Sequence, residues 1–193
     1  IWIWTDADAG TGNVYYGLGT SVKYYIFFGG TFNDITPIVH TSTLTGPFTA
    51  TSGSSTITVY DTGYAPGVGD YVTFSGATGL GGNITAAVLN QSYQITSVNS
   101  GASTYTFTAT ATANSSDTGH GGSVTAKYSY PSGLNVYTVG TGWGAGPWSR
   151  GTWGSAYSAG IGEQLRLWSN DNFGADLVIA PRGGPIFYWS DTT

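Results

Sequence analysis

The spacing of turn residues is the feature that most constrains this fold. Short β-branched and aromatic runs alternate in period two, and Gly, Asn, Asp or Pro interrupts them repeatedly. No segment shows a convincing helical period. We therefore expect an all-β protein. The clearest candidate strands are TSVKYYIFF (20–28), STITVYD (55–61), DYVTFSG (70–76), SYQITSV (92–98), TYTFTATAT (104–112) and GSVTAKYSY (122–130).

The distribution of aromatic residues predicts how these strands are organised. Trp and Tyr are frequent near both ends of the chain, whereas the middle is rich in Thr, Ser and Ala and contains no Trp. The two flanks also resemble each other, since each reads as strand, polar turn, strand and Gly-Gly. We expect an aromatic-rich antiparallel platform, similar to propeller blades, formed by 1–40 and 131–193. An inserted small β-barrel or sandwich is expected over 41–130.

Charge argues against several classes of partner. Charged residues make up 8% of the chain, its net charge is −5, and its five Lys and Arg residues are dispersed. Nucleic-acid binding needs clustered cations, and membrane binding needs a basic amphipathic segment or a long apolar run, so neither partner is expected. The chain has no Met, which favours a window cut from a longer polypeptide over a processed product.

The segment TGWGAGPWSRGTWG (141–154) places three Trp residues on a glycine-rich backbone. Arg150 beside these indoles favours packing, within the platform or against another subunit, because Arg stacks on Trp and both are enriched at interfaces. Stacking on a sugar ring is the alternative for Trp143, Trp148 and Trp153. The candidate interface or packing residues are Trp143, Trp148, Arg150, Trp153, Trp168 and Trp189.

Three motifs together resemble a family of tailed-bacteriophage virion proteins: WSNDNFGADLVIAPRGGPIFYW (168–189), the segment 141–154, and NDITPI (33–38). The middle segment, with VGDYVTFSGATGLGG, QSYQIT and STYTFTATAT, is similar to a small β-barrel inserted in many phage structural proteins. That barrel is itself likened to the first catalytic cysteine half-domain of ubiquitin-activating enzymes. The resemblance implies a virion building block, tail-associated, whose partners are copies of itself and other virion proteins. It transfers no catalytic residue.

Two Asp-Thr-Gly triplets, beginning at Asp61 and Asp117, are the motifs closest to a catalytic signature. Aspartic proteases carry such triplets between hydrophobic strands of two matching lobes, where the carboxylates share a proton. Here the triplets lead into glycine-rich sequence, which is more typical of turns. No nucleophile elbow, phosphate-binding loop or Walker loop is present, so we expect no catalytic residue, no cofactor and no enzymatic activity.

Metal binding has little support in the sequence. Asp6 and Asp8 resemble the start of a calcium loop, but Thr11 and Gly17 occupy the positions that need Gly and Glu. A weakly bound surface cation near the two aspartates is left open. The two His residues lie far apart in sequence, so no metal site is expected.

The sequence therefore predicts a structural component of a tailed-phage virion, working through subunit assembly in the extracellular particle. The alternative is a carbohydrate-binding or adhesive module of an extracellular or phage fibre protein, with a host-surface glycan as partner.

Overall fold

The computed structural model of this chain describes residues 1–5, 12–130, 167–182 and 184–190. These residues form antiparallel β-sheets, and the predicted all-β class is confirmed. They divide into two compact units. The flanking unit combines Ile1–Thr36 with the described residues of Ser132–Thr193, and the middle unit is Pro37–Pro131. The division into domains at residues 40 and 130 stays a prediction.

The flanking unit contains a four-stranded and a three-stranded antiparallel sheet, and in each the spatial order follows the chain. Between β3 and β4, Gly29 and Gly30 both have positive φ, which a tight two-residue hairpin turn of this kind requires. The first sheet consists of β1 (Trp2–Thr5), β2 (Val14–Gly19), β3 (Tyr24–Phe28) and β4 (Thr31–Asp34); the second consists of β13 (Trp168–Phe173), β14 (Asp176–Pro181) and β15 (Phe187–Trp189).

One aromatic core joins the two sheets of the flanking unit. Leu177 and Ile179 of β14 pack in the same cluster as Trp4, Tyr24 and other buried residues of the first sheet. The indole Nε1 of Trp4 donates a 2.8 Å hydrogen bond to the carbonyl of Ala175, in the turn between β13 and β14. The flanks therefore fold together although more than a hundred residues separate them in sequence.

The middle unit contains an eight-stranded antiparallel sheet with the order β11-β6-β7-β10-β9-β8-β12-β5. The edge strands β11 and β5 do not pair with each other, so the sheet does not close into a barrel, which was one of the two expected forms. Its strands are β5 (Ile38–Thr45), β6 (Phe48–Ala50), β7 (Thr56–Tyr60), β8 (Tyr71–Ser75), β9 (Ser92–Asn99), β10 (Thr104–Thr108), β11 (Asp117–His120) and β12 (Ser123–Ser129).

The core of the middle unit follows the period-two pattern of these strands. In β7 the side chains of Ile57 and Val59 are buried, and their neighbours Thr58 and Tyr60 are half-buried and exposed. Aromatic rings fill the centre: those of Tyr93 and Phe107 stack with centroids 4.2 Å apart. Alternation thus selects one face of each strand for the core.

A short α-helix, α1 (Ala86–Leu89), and a 3-10 turn at Ser100–Ala102 differ from the strand-only expectation. The Thr85 side chain caps α1 by accepting a hydrogen bond from the backbone N–H of Val88. A single helical turn is too short to produce a recognisable period in the sequence. Within the described ranges, no helix has the length and apolar character to cross a membrane.

Candidate functional site

A cavity of about 260 Å³ lies in the middle unit, where two loops meet. The first loop follows β7 and contributes residues 61–66. The second, between β9 and β10, contributes Ser100 and Ser103. The adjoining strand ends complete the lining with Val98, Asn99, Thr104 and Tyr105. None of the described residues that line the cavity is Lys, Arg or His. The described lining has one charged side chain, that of Asp61, together with hydroxyl-bearing, aromatic, amide and apolar side chains.

Asp61 is the charged group of this cavity. Its backbone N–H donates to the carbonyl of Ser103 (3.0 Å), which ties the first loop to the second. The carboxylate accepts a 2.7 Å hydrogen bond from the backbone N–H of Gly63, an Asx-type turn, and a 2.6 Å bond from the hydroxyl of Tyr128. Although Asp61 lines the cavity, its residue surface is only 3% exposed. The site therefore holds a buried carboxylate fixed by two neutral donors.

Two buried tyrosines extend this hydrogen-bonded network. The hydroxyls of Tyr128 and Tyr105 lie 2.9 Å apart. Burial raises the pKa of both phenols far above the ordinary value, and the neighbouring phenol and the Asp61 carboxylate raise that of Tyr128 further. Both hydroxyls consequently keep their protons at neutral pH, so that Tyr128 serves as a donor to Asp61.

Aromatic rings cluster around Tyr128, which donates to Asp61. The ring of Tyr64 stacks on that of His40, with centroids 4.8 Å apart, and lies 4.5 Å from the ring of Tyr128. Burial raises the pKa of Tyr64, and the negative charge of Asp70 raises it further. Ser42 is also buried, and its Oγ has no hydrogen-bond partner among the described residues. The cavity wall thus carries negative potential and aromatic surface.

This arrangement can accept hydrogen bonds from a ligand that carries donors, and its negative charge opposes anions. Across the described residues, no group of three or more His, Cys, Asp or Glu side chains could hold a metal ion.

The two Asp-Thr-Gly triplets have different surroundings. Asp61 forms the predicted turn beside the cavity, whereas Asp117 begins strand β11 and bonds to the ring of His120. The turn interpretation is therefore wrong for the second triplet. Gly119 of this triplet has a φ of +73° and lies at a register irregularity in the pairing of β11 with β6. An irregularity of this kind lets a strand include a glycine with positive φ.

Two of the predicted packing residues lie in the aromatic core of the flanking unit. Trp168 donates from Nε1 to the carbonyl of Thr20 (2.7 Å), and its ring meets that of Tyr24 edge-on at 5.1 Å. Trp189 meets the rings of Trp4 and Tyr15 at 6.5 and 6.0 Å. Both indoles are half-buried. Their contribution to an interface between subunits stays a prediction.

The remaining candidates fall outside the described residues. These are the proposed sugar-contact or interface residues Trp143, Trp148, Arg150 and Trp153, and the aspartates of the possible surface cation site, Asp6 and Asp8.

The outer face of the four-stranded sheet carries a row of large apolar side chains that sequence reasoning missed. The strand register places Ile3 opposite Tyr16, Tyr16 opposite Phe27, and Phe27 opposite Phe32. Ile3 is 59%, Tyr16 40% and Phe32 61% exposed, and Phe27 is half-buried. We call these four residues the outer ladder. The sequence signal for this row was that the strands carry apolar residues on both faces. Only the strand register shows that these four residues form one row.

The sequence matches no protein-family model and no curated protein. Among solved structures, the chain is similar to phage phi92 endosialidase, with a TM-score of 0.40 and 20% sequence identity. The similarity covers 66% of this chain and 20% of the endosialidase chain, so this chain spans about a fifth of that protein's length. It is a likeness to a phage protein at the level of an all-β fold.

This comparison corrects one expectation. The sequence predicted that the chain is not an enzyme, because no catalytic constellation could be recognised. The phage protein that it resembles is named as an endosialidase, which is an enzyme. The exclusion of enzymatic activity is therefore withdrawn.

Proposed function

We propose that this chain is a structural building block of a tailed-phage particle, associated with the tail, that works by assembling with copies of itself and with other particle proteins. The outer ladder is the observation that carries the proposal. Four large apolar side chains cross all four strands of one sheet, and the three at Ile3, Tyr16 and Phe32 are each at least 40% exposed. A contiguous apolar patch of this kind is typical of an interaction surface.

The chemistry of the ladder favours a second copy of the chain as its partner. The rings of Phe27 and Phe32 lie 4.8 Å apart, and those of Tyr16 and Phe27 lie 6.0 Å apart, so the row presents a nearly continuous aromatic surface. The carboxylate at the end of β4, Asp34, is already paired with Lys23 at 2.7 Å. A face whose described side chains carry no unpaired charge can pack against an identical face, because no like charges are brought together.

The low charge of the whole chain supports the same proposal. Only 8% of its residues are charged, against about 25% in an ordinary soluble protein. Charge repulsion between copies is correspondingly weak, which suits a protein held in an assembly.

Location in the particle is tested on intact virions of a phage that encodes this sequence. We expect peptides of the chain in density-purified particles at a stoichiometry of several copies, and immunogold labelling at the tail. Absence of the chain from purified particles would refute the particle assignment, and labelling confined to the capsid would refute the tail assignment.

A further inference from the structure

The cavity in the middle unit contains a negative charge that has no positive partner among the described residues. The carboxylate of Asp61 is almost completely buried, and both of its hydrogen-bond donors, the Gly63 N–H and the Tyr128 O–H, are neutral. In the described part of the chain, no ion pair includes Asp61. Burying a carboxylate is costly unless an opposite charge compensates it. The site is thus electrostatically incomplete.

Hydrogen-bonding capacity is also unused. An ionised carboxylate has about four acceptor positions, and the Gly63 N–H and the Tyr128 O–H occupy two of those on Asp61. Asp61 lines the cavity, so a molecule that enters the cavity lies beside this carboxylate.

The size and lining of the cavity restrict what can enter. Its volume of about 260 Å³ lies just below the 300–1,000 Å³ typical of drug-sized ligand pockets, which limits the ligand to a small molecule or one side chain. The described lining has no basic group to bind an anion, and Asp70 adds negative charge close to Tyr64. Tyr64 and Tyr105 are the aromatic residues of the lining, and aromatic rings attract cations.

We propose that this cavity binds a small organic cation, with a primary ammonium group donating to the Asp61 carboxylate. The ammonium group has three donors and no acceptor, which matches a site that offers carboxylate oxygen. Its charge compensates Asp61, which a neutral saccharide cannot do. A divalent metal ion fits less well, because the described residues provide no cluster of three metal-binding side chains. The proposal is independent of the assembly function, since it concerns the middle unit and not the outer ladder.

The probe for this proposal is n-propylammonium chloride, titrated into the ¹⁵N-labelled full chain at constant ionic strength. The amide of Gly63 is the reporter because it donates directly to the Asp61 carboxylate. We expect saturable shifts centred on Gly63. The neutral and anionic analogues, 1-propanol and propionate, should bind at least about tenfold more weakly, which corresponds to 1.4 kcal/mol. Glucose serves as the saccharide probe.

Two variants connect binding to the site. Asp61→Asn keeps an acceptor for the Gly63 amide but removes the charge, and should weaken propylammonium binding at least about tenfold. If Asp61→Asn does not fold, Ala65→Trp tests whether propylammonium binds in this cavity. Ala65 lies exposed in the cavity lining, so a large side chain there obstructs entry. Ala87→Trp is the matched control, at an exposed position of α1 outside the lining. It should bind like the parent chain.

The proposal is overturned if propylammonium produces no saturable shift up to about 100 mM, well above a millimolar dissociation constant. Equal or tighter binding of glucose, propanol or propionate would also overturn it, as would unchanged binding by a folded Asp61→Asn or Ala65→Trp chain.

Discussion

The hydroxyl of Tyr128 donates a 2.6 Å hydrogen bond to the carboxylate of Asp61, 67 residues earlier in the chain. The bond joins β12 to the loop that follows β7, and the hydroxyl of Tyr105 on β10 extends it at 2.9 Å. A buried chain of hydrogen bonds therefore supports the cavity. Substitutions that remove single hydroxyl oxygens test how much each bond stabilises the folded chain.

Tyr128→Phe should lower the free energy of unfolding by about 1.5–3 kcal/mol, because it removes a hydrogen bond to a buried charged group. Tyr105→Phe removes a bond between two neutral hydroxyls and should cost about 0.5–1.5 kcal/mol. Urea denaturation of both variants at pH 7 measures the difference. A loss for Tyr105→Phe that equals or exceeds that for Tyr128→Phe would contradict this account of the network.

Gly17 has no room for a side chain. A Cβ at this position would approach the hydroxyl oxygen of Tyr24, which sits at the end of a rigid ring. Gly17→Ala should therefore destabilise the chain by about 1–3 kcal/mol, the usual cost of overpacking a core. Thermal and urea denaturation of the single variant measure this loss.

Tyr24→Phe removes the hydroxyl that a Cβ at position 17 would approach. The Tyr24 hydroxyl is buried and finds no hydrogen-bond partner among the described residues, so its removal should be neutral or slightly stabilising. In the double variant, the loss of the hydroxyl should relieve most of the clash caused by Gly17→Ala. Additive effects of the two substitutions would show that the hydroxyl is not what excludes a Cβ.

Asp34 should contribute to stability in a pH-dependent manner. Burial alone would raise its pKa, but hydrogen bonds from Lys23 and Thr36 and the charge of Lys23 hold the pKa below the usual 3.8. Because the folded-state pKa is lowered, the contribution is present above about pH 4 and is lost as the pH falls through the lower, folded-state value.

Asp34→Asn should therefore cost about 0.5–1 kcal/mol at pH 7, a value limited by the partial exposure of this ion pair, and much less near pH 2. Urea denaturation at the two pH values gives the difference. Asp171→Asn is the control, since exposed Asp171 forms no ion pair in the described ranges. A pH-independent loss for Asp34→Asn would disprove the linkage.

Local patterns in the sequence predicted the strands well. The alternation in 55–61 and 122–130 corresponds to β7 and β12, because side chains on successive strand residues point to opposite faces. Strand pairing could not be derived in the same way. Trp168 packs so closely on Gly19 that a Cβ there would lie 2.5 Å from the indole, a contact between residues 149 positions apart.

The candidate sites likewise depend on strand pairing that the sequence does not reveal. The triplet at Asp61 was recognisable as a motif, but its connection to Tyr128 and the cavity depends on loops brought together by the sheet. In the outer ladder, each aromatic residue was visible in the sequence, and only the register of β2 with β3 and of β3 with β4 puts the rings in one row.

Self-association through the outer ladder is the central claim, and sedimentation velocity over a range of concentrations tests it most directly. The parent chain should show concentration-dependent assembly. Tyr16→Lys combined with Phe32→Lys should weaken that assembly at least about tenfold, because two exposed rings no longer gain from burial and like charges are brought together. Tyr60→Lys, at a 56% exposed position of the middle unit, should assemble like the parent chain. A parent chain that stays monomeric at every concentration, or a ladder variant that assembles as the parent does, would contradict the account.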